Sequence, residues 1–177
     1  MTISLVIDTA TDRTIVGLVD GEAILFQSFA QGATDHGRAV SDLVSQALAN
    51  NPAPEKVVVG MGPGPFTGLR VGVAFAQTFA RAREIPVVGI CSLDAIDIDQ
   101  ASYTVAIDAR RKEIYWARYE NGHRVEGPSV SKPDEVSDFI IGQYPSVLEM
   151  VKQSQLQNEH ELFYLRRPDA VPTAERG

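Results

Sequence analysis

Hydrophobic and polar positions change period several times along the chain. Residues 3–8 form an apolar run closed by the turn sequence Asp8-Thr9-Ala10-Thr11, and a second apolar run covers 14–19. Asp20-Gly21 separates that run from 23–29 and reads as a two-residue hairpin turn, so three strands are expected at the start. From 35 to 49 the period becomes helical, with Val40, Leu43, Val44, Ala47 and Leu48 on one face. Asn51-Pro52-Ala53-Pro54 breaks it. Val57-Val58-Val59 then predicts a buried strand, followed by a Gly/Pro loop and a helix with Thr67 as its expected N-cap. Residues 87–90 predict another strand, and Ser92 is positioned to cap a helix through Ile96.

The opening pattern then returns. Val105-Ala106-Ile107-Asp108-Ala109-Arg110 parallels Leu5-Val6-Ile7-Asp8-Thr9-Ala10 after about one hundred residues, and Asn121-Gly122 repeats the hairpin turn after a strand over 113–119. A repeated hairpin predicts an α/β chain of two lobes, 1–100 and 101–177, with the second shortened. In that lobe Pro133-Asp134-Glu135 reads as a helix start, with Val136, Phe139 and Ile140 on one face. Pro145-Ser146 opens another helix with Val147, Met150 and Val151. No second glycine-rich strand-to-helix loop and no later strand and helix are expected before Leu162-Phe163-Tyr164-Leu165-Arg166-Arg167, and the last ten residues read as a polar tail.

Two helices of the first lobe carry small residues at every fourth position: Gly37, Ser41, Ser45 and Ala49 in one, Gly68, Gly72, Ala76 and Ala80 in the other. Such side-chain-poor stripes serve either close packing on the chain's own sheet or a helix contact between chains. Arg70, a cation in a first turn, opposes the helix dipole and so is expected to meet an anion or to be solvated.

Gly62-Pro63-Gly64-Pro65-Phe66-Thr67-Gly68 invites a phosphate-binding reading, but no Lys-Ser/Thr pair follows, and Pro63 and Pro65 lack the N–H donors of a phosphate nest. A net charge of -7 over 177 residues argues against independent binding to nucleic acid, although Arg110-Arg111-Lys112 and Arg166-Arg167 form local basic groups. The single cysteine, Cys91, excludes an internal disulfide and reads as a small buried residue. His36, His123 and His160 lack zinc spacing, and Asp94, Asp97 and Asp99 read as solvated carboxylates rather than a magnesium cluster. No apolar run is long enough for a membrane span, so a cytoplasmic location is the default expectation.

At Ile7-Asp8-Thr9-Ala10-Thr11, Gly62-Pro63-Gly64-Pro65-Phe66-Thr67-Gly68-Leu69-Arg70-Val71-Gly72, Pro86-Val87-Val88-Gly89-Ile90-Cys91-Ser92-Leu93, Asp108-Ala109-Arg110-Arg111-Lys112-Glu113-Ile114-Tyr115 and Tyr164-Leu165-Arg166, the sequence resembles the TsaB, or YeaZ, family. The resemblance implies an actin-like (ASKHA) fold of two ribonuclease H-like lobes. It further implies a non-catalytic role in making N6-threonylcarbamoyladenosine at position 37 of tRNA. The expected partners are a TsaD-like transferase and a TsaE-like ATPase, which would use the ATP and magnesium, with tRNA reached only through the complex and no cofactor of the chain's own. The partner interface implied is Gly37, Ser41, Ser45, Gly68, Arg70, Gly72, Ala76 and Ala80, and a homodimer using the same face is the alternative for the lone chain.

Asp8 and Asp108 stand at vestigial nucleotide loops. The actin-like fold has a glycine two positions after each such aspartate, whereas Ala10 and Arg110 stand there in this chain. Pro65 replaces the family's usual serine, and His36 has no second histidine at helical spacing, which opposes a zinc peptidase. The alternative function is an ATPase or kinase of the same fold acting alone through Asp8 and Asp108.

Overall fold

The computed structural model describes residues 2–32 and 35–165, so Arg166, Arg167 and the expected polar tail lie outside the described residues. Strands β1 (Ile3–Asp8), β2 (Arg13–Asp20) and β3 (Ala23–Gln31) form the opening meander. Helix α1 (His36–Leu48), strand β4 (Lys56–Gly60), helix α2 (Phe66–Arg83) and strand β5 (Val87–Ile90) follow. They build one sheet of order β3-β2-β1-β4-β5, with β1, β4 and β5 parallel. The second sheet has β6 (Ser102–Asp108), β7 (Ile114–Glu120), β8 (His123–Ser131) and β9 (Phe139–Ile141) in the order β8-β7-β6-β9.

The alternation read from the sequence places the cores. Leu5, Ile7, Val16, Leu18, Val57 and Val59 point to one side, where Val40, Leu43 and Val44 of α1 and Val73, Ala76 and Phe79 of α2 cover them. Val6, Ile15, Val19 and Val58 point to the other side and meet Val147, Met150 and Val151 of helix α3 (Val147–Gln153). That helix follows the second sheet in the chain yet packs on the first. A β-carbon on Gly17 would lie 2.6 Å from the Val147 side chain, so the missing side chain is what lets α3 settle on β2. The second sheet's inner face, from Val105, Ile107, Tyr115 and Ala117, closes on Cys91, Leu93 and Ile96 beneath the first sheet.

Four local expectations are corrected. Residues 133–140 are not a helix: Pro133–Glu135 make a single 3-10 turn, and β9 pairs in parallel with Thr104, Val105 and Ala106 of β6. Asp138 has φ 52°, a left-handed conformation that no helix continues through, and Phe139-Ile140-Ile141 are good strand formers. The second lobe therefore has a parallel fourth strand after its meander, as the first has β4, and the expectation that it lacks a later strand is overturned. Residues 92–96 form only the 3-10 turn Ser92–Ala95. Helix α2 begins at Phe66, with Pro65 rather than Thr67 at the N-cap.

Because Gly17 and Val147 share one space, Gly17→Ala is expected to destabilise the chain by about 1 to 3 kcal/mol in urea unfolding. Adding Val147→Ala should recover part of that loss. Equal stability of Gly17→Ala and wild type would contradict this packing.

Candidate functional site

The two repeated aspartates end β1 and β6 and make the same local turn. The Ala10 N–H donates to Asp8 Oδ1 and the Arg110 N–H donates to Asp108 Oδ1, each at 2.9 Å. Their surroundings differ. Asp8 is fully buried, and its Oδ2 accepts a 2.6 Å hydrogen bond from the Ser92 hydroxyl. Burial is the main influence on its carboxyl and pushes the pKa above the ordinary 3.8, against the two hydrogen bonds, which favour the charged form. Ser92, expected as a helix cap, is spent on this carboxylate and also accepts the Gly62 N–H at 3.3 Å. Asp108 is exposed, and Arg110, Arg111 and Lys112 beyond it take φ of 59°, 56° and 64°.

The glycine-rich loop lies directly on the first turn. A β-carbon on Gly60 would fall 1.8 Å from Asp8 Oδ2, and one on Gly64 would fall 2.3 Å from the Ala10 carbonyl oxygen. One on Gly68 would meet the Thr9 carbonyl at 2.7 Å, and one on Gly72 would meet Thr9 Oγ1 at 2.3 Å. Thr9 Oγ1 in turn donates to the Gly68 carbonyl at 2.7 Å. The glycines thus serve close contact inside the chain, Gly64 and Gly68 with the backbone of Ala10 and Thr9, Gly60 and Gly72 with the side chains of Asp8 and Thr9.

The second small-residue stripe is therefore corrected as a partner surface. Gly68, Gly72, Ala76 and Ala80 are all buried, the first two against Thr9 and the alanines in the core beneath α2. Gly37, Ser41 and Ser45 are exposed on α1. A β-carbon on Gly37 would sit 4.0 Å from Val71, so α1 and α2 lie side by side there. Arg70 is exposed, with its guanidinium 3.9 Å from the Phe66 ring centre and its Nε donating to the Tyr164 hydroxyl at 3.2 Å. It is thus held by an aromatic ring and a phenol, which are uncharged.

Between the lobes a cleft of about 160 Å³ is lined by residues that include Thr11, Asp12, Pro65, Asp108, Arg110 and Tyr144. Small-molecule sites usually occupy about 300 to 1,000 Å³. Its mouth is pinned by Arg13, stacked between Phe29 at 4.2 Å and Tyr144 at 3.7 Å. Sequence reasoning missed this clamp, because Arg13 and Tyr144 are distant in the chain and neither belongs to a motif. His36 is buried, with Nδ1 2.8 Å from Thr14 Oγ1, and burial first, then Arg110, lowers its pKa below 6.5 while Asp12 opposes.

No group of three or more His, Cys, Asp or Glu that could hold a metal occurs among the described residues. Asp94, expected to be solvated, is corrected: its side chain is shielded, accepts from Tyr119 and Gln157 and pairs with Arg124. Cys91 is buried, with its thiol pushed up to about 12 chiefly by burial and then by Asp94, which disfavours the thiolate.

An acid whose folded pKa exceeds its unfolded value favours folding fully below the unfolded pKa and loses that contribution as pH rises. Asp8→Asn is therefore expected to gain stability relative to wild type as pH climbs above the ordinary 3.8, read by urea unfolding at each pH. A pH-independent difference would show that Asp8 ionises freely.

Sequence and structure comparisons fit this geometry. The TsaD family, described as tRNA N6-adenosine threonylcarbamoyltransferase, matches residues 30–171. The uncharacterized protein Rv3421c of Mycobacterium tuberculosis is 42% identical over 199 residues, covering 96% of this chain and 94% of that one. That alignment is longer than the 177-residue chain, so the relative carries residues this chain lacks. The tRNA threonylcarbamoyladenosine biosynthesis protein TsaB of Escherichia coli is 32% identical over 151 residues, covering 76% of this chain. The chain spans 64% of that protein's length and 40% of the Mycobacterium leprae relative ML0378. YeaZ from Pseudomonas aeruginosa superimposes with a TM-score of 0.76 at 20% identity, covering 88% of this chain and 92% of that one. The fold is thus the α/β actin-like one anticipated, and the chain belongs to the TsaB (YeaZ) family.

Proposed function

We propose that this chain is a non-catalytic subunit of the machinery that makes N6-threonylcarbamoyladenosine at position 37 of tRNA, where it binds and activates a TsaD-like transferase. The pathway is supported by relatives named for tRNA threonylcarbamoyladenosine biosynthesis. The non-catalytic role rests on one observation, the sealed Asp8 turn. Phosphate at a turn needs free N–H donors and open space. Here the Ala10 N–H is committed to Asp8, and Gly64 lies on the Ala10 carbonyl. An actin-like ATPase or kinase working alone is correspondingly less well supported. In this reading ATP and magnesium belong to the transferase and a TsaE-like ATPase, and tRNA meets the chain only within the complex.

The docking face of this reading is narrower than the two stripes. It joins the exposed Gly37, Ser41 and Ser45 of α1 to Phe66 and Arg70 in the first turn of α2. Short side chains on α1 let another helix approach closely, and the stacked Arg70 gives the face a fixed polar edge. Self-association would compete for the same face. No helix among the described residues is long and apolar enough to cross a membrane. A cytoplasmic site of action is part of the proposal.

Ser45→Trp is expected to weaken binding to the transferase by about 1 to 3 kcal/mol, roughly 5- to 150-fold in affinity, with the melting temperature unchanged. Gly72→Leu should instead lower the melting temperature, because that position faces Thr9. Leaving the chain out of a reconstituted tRNA modification should abolish or sharply reduce product, and adding it back should restore it. Normal binding by Ser45→Trp would overturn the docking face, and full modification without the chain would overturn the role.

A further inference from the structure

The segment after α3 connects three parts of the molecule. At one end Gln157 Nε2 donates to Asp94 Oδ2 at 2.9 Å, and Asp94 Oδ1 accepts from the Tyr119 hydroxyl of β7 at 2.7 Å and pairs with Arg124 Nε of β8 at 3.4 Å. The Asp94 side chain is only 8% exposed, so this grip on the second sheet is shielded from solvent. In the middle the segment runs along the edge of β5. The Cys91 N–H donates to Gln157 Oε1 at 3.2 Å, the Gly89 N–H to Asn158 Oδ1 at 3.1 Å, and the Glu159 N–H to the Gly89 carbonyl at 2.8 Å. A β-carbon on Gly89 would come within 2.2 Å of the Glu159 carbonyl, so this glycine exists for the approach of the segment. At the far end the Phe163 N–H donates to the Met61 carbonyl at 2.9 Å, and the Phe163 ring packs against the cores of both lobes. Tyr164 then packs its ring at a tilt against Phe66, centroids 5.0 Å apart, and accepts from Arg70 Nε.

We propose that residues 157–165 form a tether through which the second sheet fixes the first turn of α2, making Asp94, Gln157 and Tyr164 positioning residues for Phe66 and Arg70. An edge strand left bare would be open to adventitious pairing, and covering it is a sufficient reason for some segment to lie there. Edge cover alone does not call for a shielded carboxylate gripping both β7 and β8, nor for an aromatic and hydrogen-bonded hold on α2. Those two ends make the segment a mechanical link. Its consequence for partner binding rests on the docking reading above; the link itself does not.

The test is amide hydrogen exchange on the full chain, followed by titration with the purified transferase. In Asp94→Ala and Gln157→Ala, the Leu69 and Arg70 amides of α2 are expected to exchange about tenfold faster than in wild type, while the Val44 amide of α1 keeps its rate. Tyr164→Phe, which keeps the ring contact and loses the bond to Arg70, should produce a smaller rise at the same two amides. Faster exchange that stops at Gly89 and Cys91, or that rises uniformly over the chain, would overturn the tether. If the α2 amides respond but wild type does not bind the transferase, the docking reading falls and the tether stands. If binding is intact and the α2 amides do not respond, the reverse holds.

Discussion

The structure depends on a backbone laid on a backbone. The loop carrying Gly64 and the helix start at Gly68 rest on Ala10 and Thr9 at distances no β-carbon would permit, and from that contact the start of α2 is fixed over β1. The same contact encloses the Asp8 carboxylate, which keeps the Ser92 hydroxyl and the Ala10 N–H as its partners. A buried carboxylate is costly unless hydrogen-bonded, and here both oxygens are. One arrangement therefore secures the first lobe and packs the Asp8 turn.

The second lobe repeats the turn without the enclosure. Asp108 keeps the local hydrogen bond but is exposed at a narrow cleft, and no loop comparable to the glycine-rich one covers it among the described residues. Helix α3, which comes after the second sheet in the chain, packs instead on the first. The two lobes are pinned at the cleft mouth by Arg13 between Phe29 and Tyr144, and behind it by Asp94 with Tyr119 and Arg124.

Much of this was legible in the sequence where a local rule governs. The second hairpin turns at Asn121-Gly122 as expected, the first turns one residue later than expected, at Gly21-Glu22 with Asp20 still paired to Ala23, and the repeat follows from the matching strand-to-aspartate runs. What was not legible depends on partners far away in the chain. Spacing showed that Gly68, Gly72, Ala76 and Ala80 share a helix face but not that the face turns inward onto Thr9 and the core. Ser92 carries a capping residue's chemistry, and its commitment to Asp8, 84 positions away, leaves no local trace. Val136, Phe139 and Ile140 fit a helical period as well as a strand, and the left-handed Asp138 that decides between them is not encoded by composition.

The most direct measurement of the central claim is a calorimetric titration of the isolated chain with magnesium-ATP. The account predicts no saturable heat, because Gly64 rests on the Ala10 carbonyl and the Ala10 N–H is committed to Asp8. Saturable binding by the wild-type chain that disappears in Asp8→Asn would contradict it.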